Sequence, residues 1–150
     1  MELKMLTGPF SHDLMITVLE DLYPQLRHGS HYVVAHTILD PYDHTKHSDP
    51  YVMHWRTGDV PQPRDDDLKA KFFADEAKYR AIFARKFRNA CLDGTDGRGN
   101  VTDAPTGSKA ATMADAWRAY RQALRDVPQQ PGFPMTIDWP VAPDQQGASS

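Results

Sequence analysis

The sequence predicts an α+β fold: a small antiparallel β-sheet packed with a long central helix, and a second C-terminal helix followed by an extended Pro-rich arm. Two periodicities support this class. Apolar residues recur at helical spacing over 65–91 and over 113–126, whereas they alternate at a period of two over 31–39 and 51–56. Helix and strand patterns in separate parts of the chain are typical of an α+β protein.

The first predicted elements are a short helix and a hairpin. The helix consists of His12, Asp13 and the mixed run Leu14–Leu22, with Ser11 as its N-cap and Pro24 just past its end. The β-branched residues of 31–39 favour a strand, and 51–56 supplies its antiparallel partner. Two strands alone are marginally stable, so we expect a helix against one face of the pair.

The long helix is predicted over 65–91. Three consecutive aspartates at 65–67 favour its start, because the helix dipole stabilises negative charge there. Asp93 and Gly94 follow its end. Its apolar stripe, widened by Phe73 and Ile82, consists of Leu68, Phe72, Tyr79, Phe83 and Phe87.

A flexible connector and a second helix follow. Four glycines between 94 and 107 favour a connector over 93–111, and Thr112 begins a capping-box pattern for a helix over 113–126. The predicted domains are therefore 1–92, a linker over 93–111, and 112–150. The apolar face of this helix consists of Met113, Trp117, Tyr120, Leu124 and Val127. A second stripe beside it consists of Arg118, Arg121 and Arg125.

Composition excludes several classes of protein. The chain of 150 residues has 17 basic and 20 acidic side chains, which is unlike a nucleic-acid-binding domain. Its one cysteine, Cys91, excludes an internal disulfide framework and any cysteine-based zinc pattern within the chain. No apolar run approaches the ~18 residues of a membrane span, and Met1–Phe10 lacks the apolar core of a signal peptide. We expect a soluble, cytoplasmic protein without nucleic-acid or membrane partners.

Histidines are concentrated in 28–54, with aspartates between them. A metal-dependent enzyme is the alternative that this segment raises, and His36 and His54 could face each other across the hairpin. The spacing matches no established metal-binding pattern, so surface and loop histidines are the favoured interpretation. No catalytic residue, metal or cofactor is predicted. The basic run Arg80–Arg88 is likewise interpreted as a solvated helix face rather than a phosphate-binding surface.

The segment 128–143 is predicted to be extended, because prolines interrupt it repeatedly. Two interpretations stay open: the segment packs on the protein's own core, or it is an arm that docks on a partner. Its alternating apolar residues are Phe133, Met135, Ile137, Trp139 and Val141.

The C-terminal residues also resemble a known family. Trp117-x-x-Tyr120-Arg121-x-x-Leu124-Arg125-Asp126-Val127, then Gln130-x-Gly132-Phe133-Pro134, then Ile137-x-Trp139-Pro140-x-x-Pro143 resemble the C-terminal motif of phage tail assembly chaperone proteins. Upstream, Trp55, Pro61 and Leu68 resemble a pattern of phage tail-fibre-associated proteins.

The resemblance implies a non-enzymatic bacteriophage tail or tail-fibre assembly protein that acts in the host cytoplasm and binds a larger tail component. An alternative is a minor structural adaptor retained in the virion, at the baseplate or tail-fibre root. Homo-oligomerisation is left open. The predicted partner-binding residues are Trp117, Tyr120, Arg121, Arg125, Phe133, Ile137 and Trp139.

Overall fold

The computed structural model describes residues 9–100 and 104–146, and within them the chain forms four helices and one two-stranded antiparallel sheet. This architecture confirms the predicted α+β class. The elements are α1 (His12–Leu22), β1 (Tyr32–Ala35), β2 (Tyr51–Trp55), α2 (Asp65–Ala74), α3 (Glu76–Gly94) and α4 (Lys109–Asp126).

The chain divides into two compact units, with the boundary between Phe83 and Ala84 inside α3. Each unit is described by itself below. The predicted domain limits of 1–92, 93–111 and 112–150 stay a prediction.

In the first unit, α1 begins where the sequence predicts. The hydroxyl of Ser11 accepts a hydrogen bond from the backbone N–H of Leu14 at 3.4 Å, which confirms Ser11 as the N-cap. Leu14, Met15, Val18 and Leu19 are buried. Their spacing places them on one face of the helix, which packs on α2 and β1.

The sheet is shorter than predicted. β1 ends at Ala35 rather than at residue 39, and β2 ends at Trp55 rather than at residue 56. Beyond β1 the backbone pairs within its own loop, since Leu39 N–H donates to the Lys46 carbonyl at 2.8 Å and Ser48 N–H donates to the Thr37 carbonyl at 2.9 Å. These local bonds replace the ladder that the alternating pattern had suggested.

One core joins the sheet to the helices of the first unit. Tyr32, Val34 and Val52 turn their side chains into it, and the Phe10 ring stacks on Phe72 at 4.8 Å between centroids. Asp65, in the first turn of α2, accepts a hydrogen bond from Val52 N–H at 2.9 Å. This contact ties the start of the helix to β2.

The predicted single helix over 65–91 is wrong, because the chain breaks at Asp75 into α2 and α3. Asp75 has φ −126° and ψ 36°, outside the helical region. Its carboxylate pairs with Lys71 Nζ at 2.9 Å. The apolar stripe lacks a member at this point, because a polar aspartate lies between Phe72 and Tyr79 where a helix would require a buried side chain.

In the second unit, the N-cap of α4 lies four residues before the predicted Thr112 cap. Ser108 is the N-cap, and its hydroxyl accepts a hydrogen bond from Ala111 N–H at 3.2 Å. The helix face is also rotated from the prediction, since Ala114 is buried whereas Met113 is 44% exposed. Both ends of the predicted connector over 93–111 are thus helical, since 93–94 belong to α3 and 109–111 belong to α4. Residues 101–103 lie outside the described residues.

Candidate functional site

The histidine-rich segment was the first candidate site, and the structure arranges it differently from the prediction. His54 lies opposite Val33 in the sheet register, so the predicted pairing of His36 with His54 is wrong. His36 instead stacks on His47 at 4.3 Å and meets the edge of His12 at 5.3 Å. Within 9–100 and 104–146, no group of three histidine, cysteine or acidic residues is placed to hold a metal ion.

Partial burial affects the pKa of His36 in this cluster. His36 Nδ1 is buried and has no hydrogen-bond partner among the described residues. Burial lowers the pKa of His36, and the neighbouring His47 and His12 lower it further, while Asp13 opposes the shift. The folded protein therefore favours the neutral imidazole.

We expect this cluster to make stability depend on pH. Because the pKa of His36 in the folded chain lies below its ordinary value of 6.5, the unfolded chain binds the proton first as the pH falls. The contribution of His36 is complete above pH 6.5 and is lost as the pH falls through its lowered pKa. Urea unfolding at about pH 7 and about pH 5 should show a smaller loss of stability in His36→Gln than in the natural sequence. An identical pH dependence in both proteins would contradict this assignment.

The second candidate site is the predicted partner-binding surface on α4 and the loop after it. Trp117 is only 6% exposed; the Arg98 guanidinium lies over its ring at 4.7 Å, and the Tyr120 ring meets it edge-on at 5.8 Å. Burial raises the pKa of the Cys91 thiol, so it favours the protonated form, which is a poor nucleophile.

Two arginines of α4, Arg121 and Arg125, have different hydrogen-bond partners within the second unit. Arg121 Nη1 donates to the carbonyl of Leu92 at 2.5 Å and to Thr95 Oγ1 at 3.0 Å. It therefore satisfies a carbonyl in the last turn of α3. Arg125 is exposed and donates to Gln122 Oε1 at 3.2 Å. Neither arginine pairs with Asp126, whose carboxylate accepts from Gln122 Nε2 at 3.0 Å.

The loop after α4 is a closed turn rather than a uniformly extended arm. A short 3-10 helix over Val127–Gln129 begins it. The Gln130 side chain then bridges the loop, donating to the Asp138 carbonyl and accepting from the Asp138 N–H, both at 2.8 Å. Gly132 lies so close to Thr136 that an added Cβ would come within 2.7 Å of the Thr136 carbonyl oxygen. Only glycine fits this turn without displacement.

Two predicted site residues of this loop, Phe133 and Trp139, contact α3. The Arg85 guanidinium lies 5.3 Å from the centre of the Phe133 ring, and the Trp139 ring meets Phe87 edge-on at 4.9 Å. Trp139 is 5% exposed, whereas Phe133 and Ile137 are half-buried. Met135 and Val141 remain 46% and 47% exposed. The direct binding role predicted for all seven residues stays a prediction; of them, Trp117 and Trp139 are buried and Arg125 is exposed.

Exposed arginine and methionine beside half-buried aromatic rings are typical of protein–protein interfaces. Residues 81–144 match the model of the phage tail assembly chaperone protein family, and residues 15–80 match the model of the XkdW protein family. The first match confirms the resemblance drawn from 117–143 and extends it through most of α3. Searches of curated proteins and of solved structures found no match.

The two family matches meet between residues 80 and 81, three residues before the boundary between the two compact units. Each match therefore coincides closely with one unit. Within the described part of the chain, no helix has the length and apolar character needed to cross a membrane.

Proposed function

We propose that this protein is a non-enzymatic, chaperone-like assembly protein for a phage tail or tail fibre. It acts in the host cytoplasm and binds a larger tail component. The observation that carries this proposal is the family match over 81–144, which includes all of α4 and the loop closed by Gln130. Burial raises the pKa of the Cys91 thiol, which disfavours a nucleophilic role for this cysteine.

The partner contacts the outer side of the second unit. Arg125, Met135 and Val141 present charged and apolar groups to solvent. Trp117 and Trp139 lie beneath, where their burial fixes the helix and the loop before the partner arrives. Preformed geometry of this kind lowers the entropy lost on binding.

Capture of a tail component tests the proposal. The tagged full-length chain, co-expressed with the tail genes of its phage, should retain one tail protein on affinity purification. Met135→Glu places a charge in the apolar part of the surface and should weaken capture about tenfold, with unchanged thermal stability. Met53→Glu is the matched control, because Met53 is equally exposed at 47% but lies on β2. Failure of the natural sequence to retain any tail protein would overturn the proposal.

Quantitative mass spectrometry of purified particles separates assembly factor from adaptor. An assembly chaperone leaves the product, so mature virions should contain far fewer copies of this chain than of the captured tail protein. Near-stoichiometric copies would instead support a minor structural adaptor at the baseplate or tail-fibre root.

A further inference from the structure

The turn over 95–100 and one face of α4 enclose a cleft of about 480 Å³. Arg118, Arg121 and Arg125 line one wall, and Asp96 is the one acidic residue among the described residues that line the cleft. The volume is within the range of ordinary ligand sites. The cleft is lined mainly by positive side chains, whereas the whole chain carries a net charge of −3.

Two of the three arginines are held in place by backbone carbonyls. Arg118 donates to the Gly99 carbonyl and pairs with Asp115, and Arg121 donates to the Leu92 carbonyl. Gly99 permits this arrangement, because an added Cβ would come within 2.8 Å of Arg118 Cγ. The guanidinium groups are therefore positioned before any ligand binds.

Among the described residues, Arg125 is the one arginine of the cleft that has no acidic side chain as its partner. Its only hydrogen bond within the described residues goes to the neutral Gln122 amide. Arg121, by comparison, faces Asp96 at 3.4 Å. A guanidinium with a neutral partner retains its capacity for a bidentate bond to a carboxylate.

We propose that this cleft binds a short acidic segment in extended conformation, with carboxylate side chains that pair with the arginines. Arg118, Arg121 and Arg125 follow one another at i, i+3 and i+7 on α4, so they span about 10 Å along the helix. An extended chain covers that length in about three residues. The inference rests on the proposed function in taking this segment to belong to the captured tail component.

Titration of the full-length chain with capped tetra-glutamate tests the cleft. Amide resonances of residues 95–100 and 118–125 should shift with saturation, and the affinity should fall with added salt. Capped tetra-glutamine should cause no shift. Arg125→Gln should weaken tetra-glutamate binding about fivefold, the upper range for one exposed ion pair. Arg88→Gln is the matched control, since this substitution removes the same charge from α3. Among the described residues, the Arg88 side chain donates hydrogen bonds only to Asn89.

Four results would overturn the inference: no binding of tetra-glutamate, equal binding of tetra-glutamine, an equal loss of affinity in both arginine variants, or tighter binding of inorganic phosphate or a single-stranded oligonucleotide than of tetra-glutamate. The proposed function fails separately. Capture of a tail protein without any tetra-glutamate binding would support the proposed function and reject the proposed ligand of the cleft. Tetra-glutamate binding without capture would support the ligand and reject the proposed function.

Discussion

Trp139→Ala is expected to lower the free energy of unfolding by about 3–5 kcal/mol, the usual range for truncating a buried tryptophan. Trp139 is 5% exposed and its ring packs edge-on against Phe87 at 4.9 Å. Removal leaves a cavity beneath the loop that Gln130 closes, and the loop cannot collapse freely into it. Urea unfolding monitored by circular dichroism measures the loss.

Two control variants make this result specific. Trp139→Phe keeps an aromatic ring and removes an indole N–H that has no acceptor among the described residues, so it should cost much less than the alanine variant. Val141→Ala, two positions further along and 47% exposed, should leave stability nearly unchanged. Unchanged melting of Trp139→Ala, together with weakened capture of the tail component, would show instead that Trp139 is a direct partner contact.

Phe72→Ala should destabilise the first unit by about 3–5 kcal/mol. Phe72 is fully buried where α2 meets α1, stacked on Phe10 at 4.8 Å and covered by the Arg80 guanidinium at 5.3 Å. Arg80 is itself buried and paired with Glu76 at 2.9 Å, so loss of the ring also exposes one side of a buried cation to a cavity.

Phe73→Ala is the matched control for this core. Phe73 is adjacent in sequence, carries the same side chain and is 50% exposed. Its truncation should cost less than half as much as that of Phe72, measured by the same unfolding curves. Equal losses from the two variants would show that the core of the first unit is not arranged around Phe72.

How far the sequence predicts the fold depends on how local each signal is. The Ser11 cap follows from neighbouring residues and is confirmed. The start of α4 is also local, yet two caps compete, and Ser108 precedes Thr112. The break at Asp75 has a signal in the missing apolar position. Its outcome, however, depends on the pair with Lys71 and on how strongly the flanking stripes pack.

The candidate site divides in the same way. The tryptophan, arginine and proline motif over 117–143 is sufficient for the resemblance to phage tail assembly chaperones, which the family match confirms. The arginine stripe is visible as spacing, but its cleft is not, because the opposite wall comes from Gly97 and Gly99 in the preceding turn. Arg118 is not among the predicted site residues, because it falls on an unspecified position of the motif that supplied them.

By itself, the sequence determined the α+β class, the first helix with its cap and the resemblance of the C-terminal part to a known family, since periodicity, capping and motif spacing are properties of neighbouring residues. Only the tertiary structure decided that Trp139 is buried, that His36 meets His12 and His47 rather than His54, and that Arg121 bonds to α3. Each of these outcomes depends on a partner distant in the chain. Burial and ion pairing depend on which surfaces of the folded chain come into contact. An alternating apolar pattern alone is compatible with a core strand, a docking arm or a closed loop.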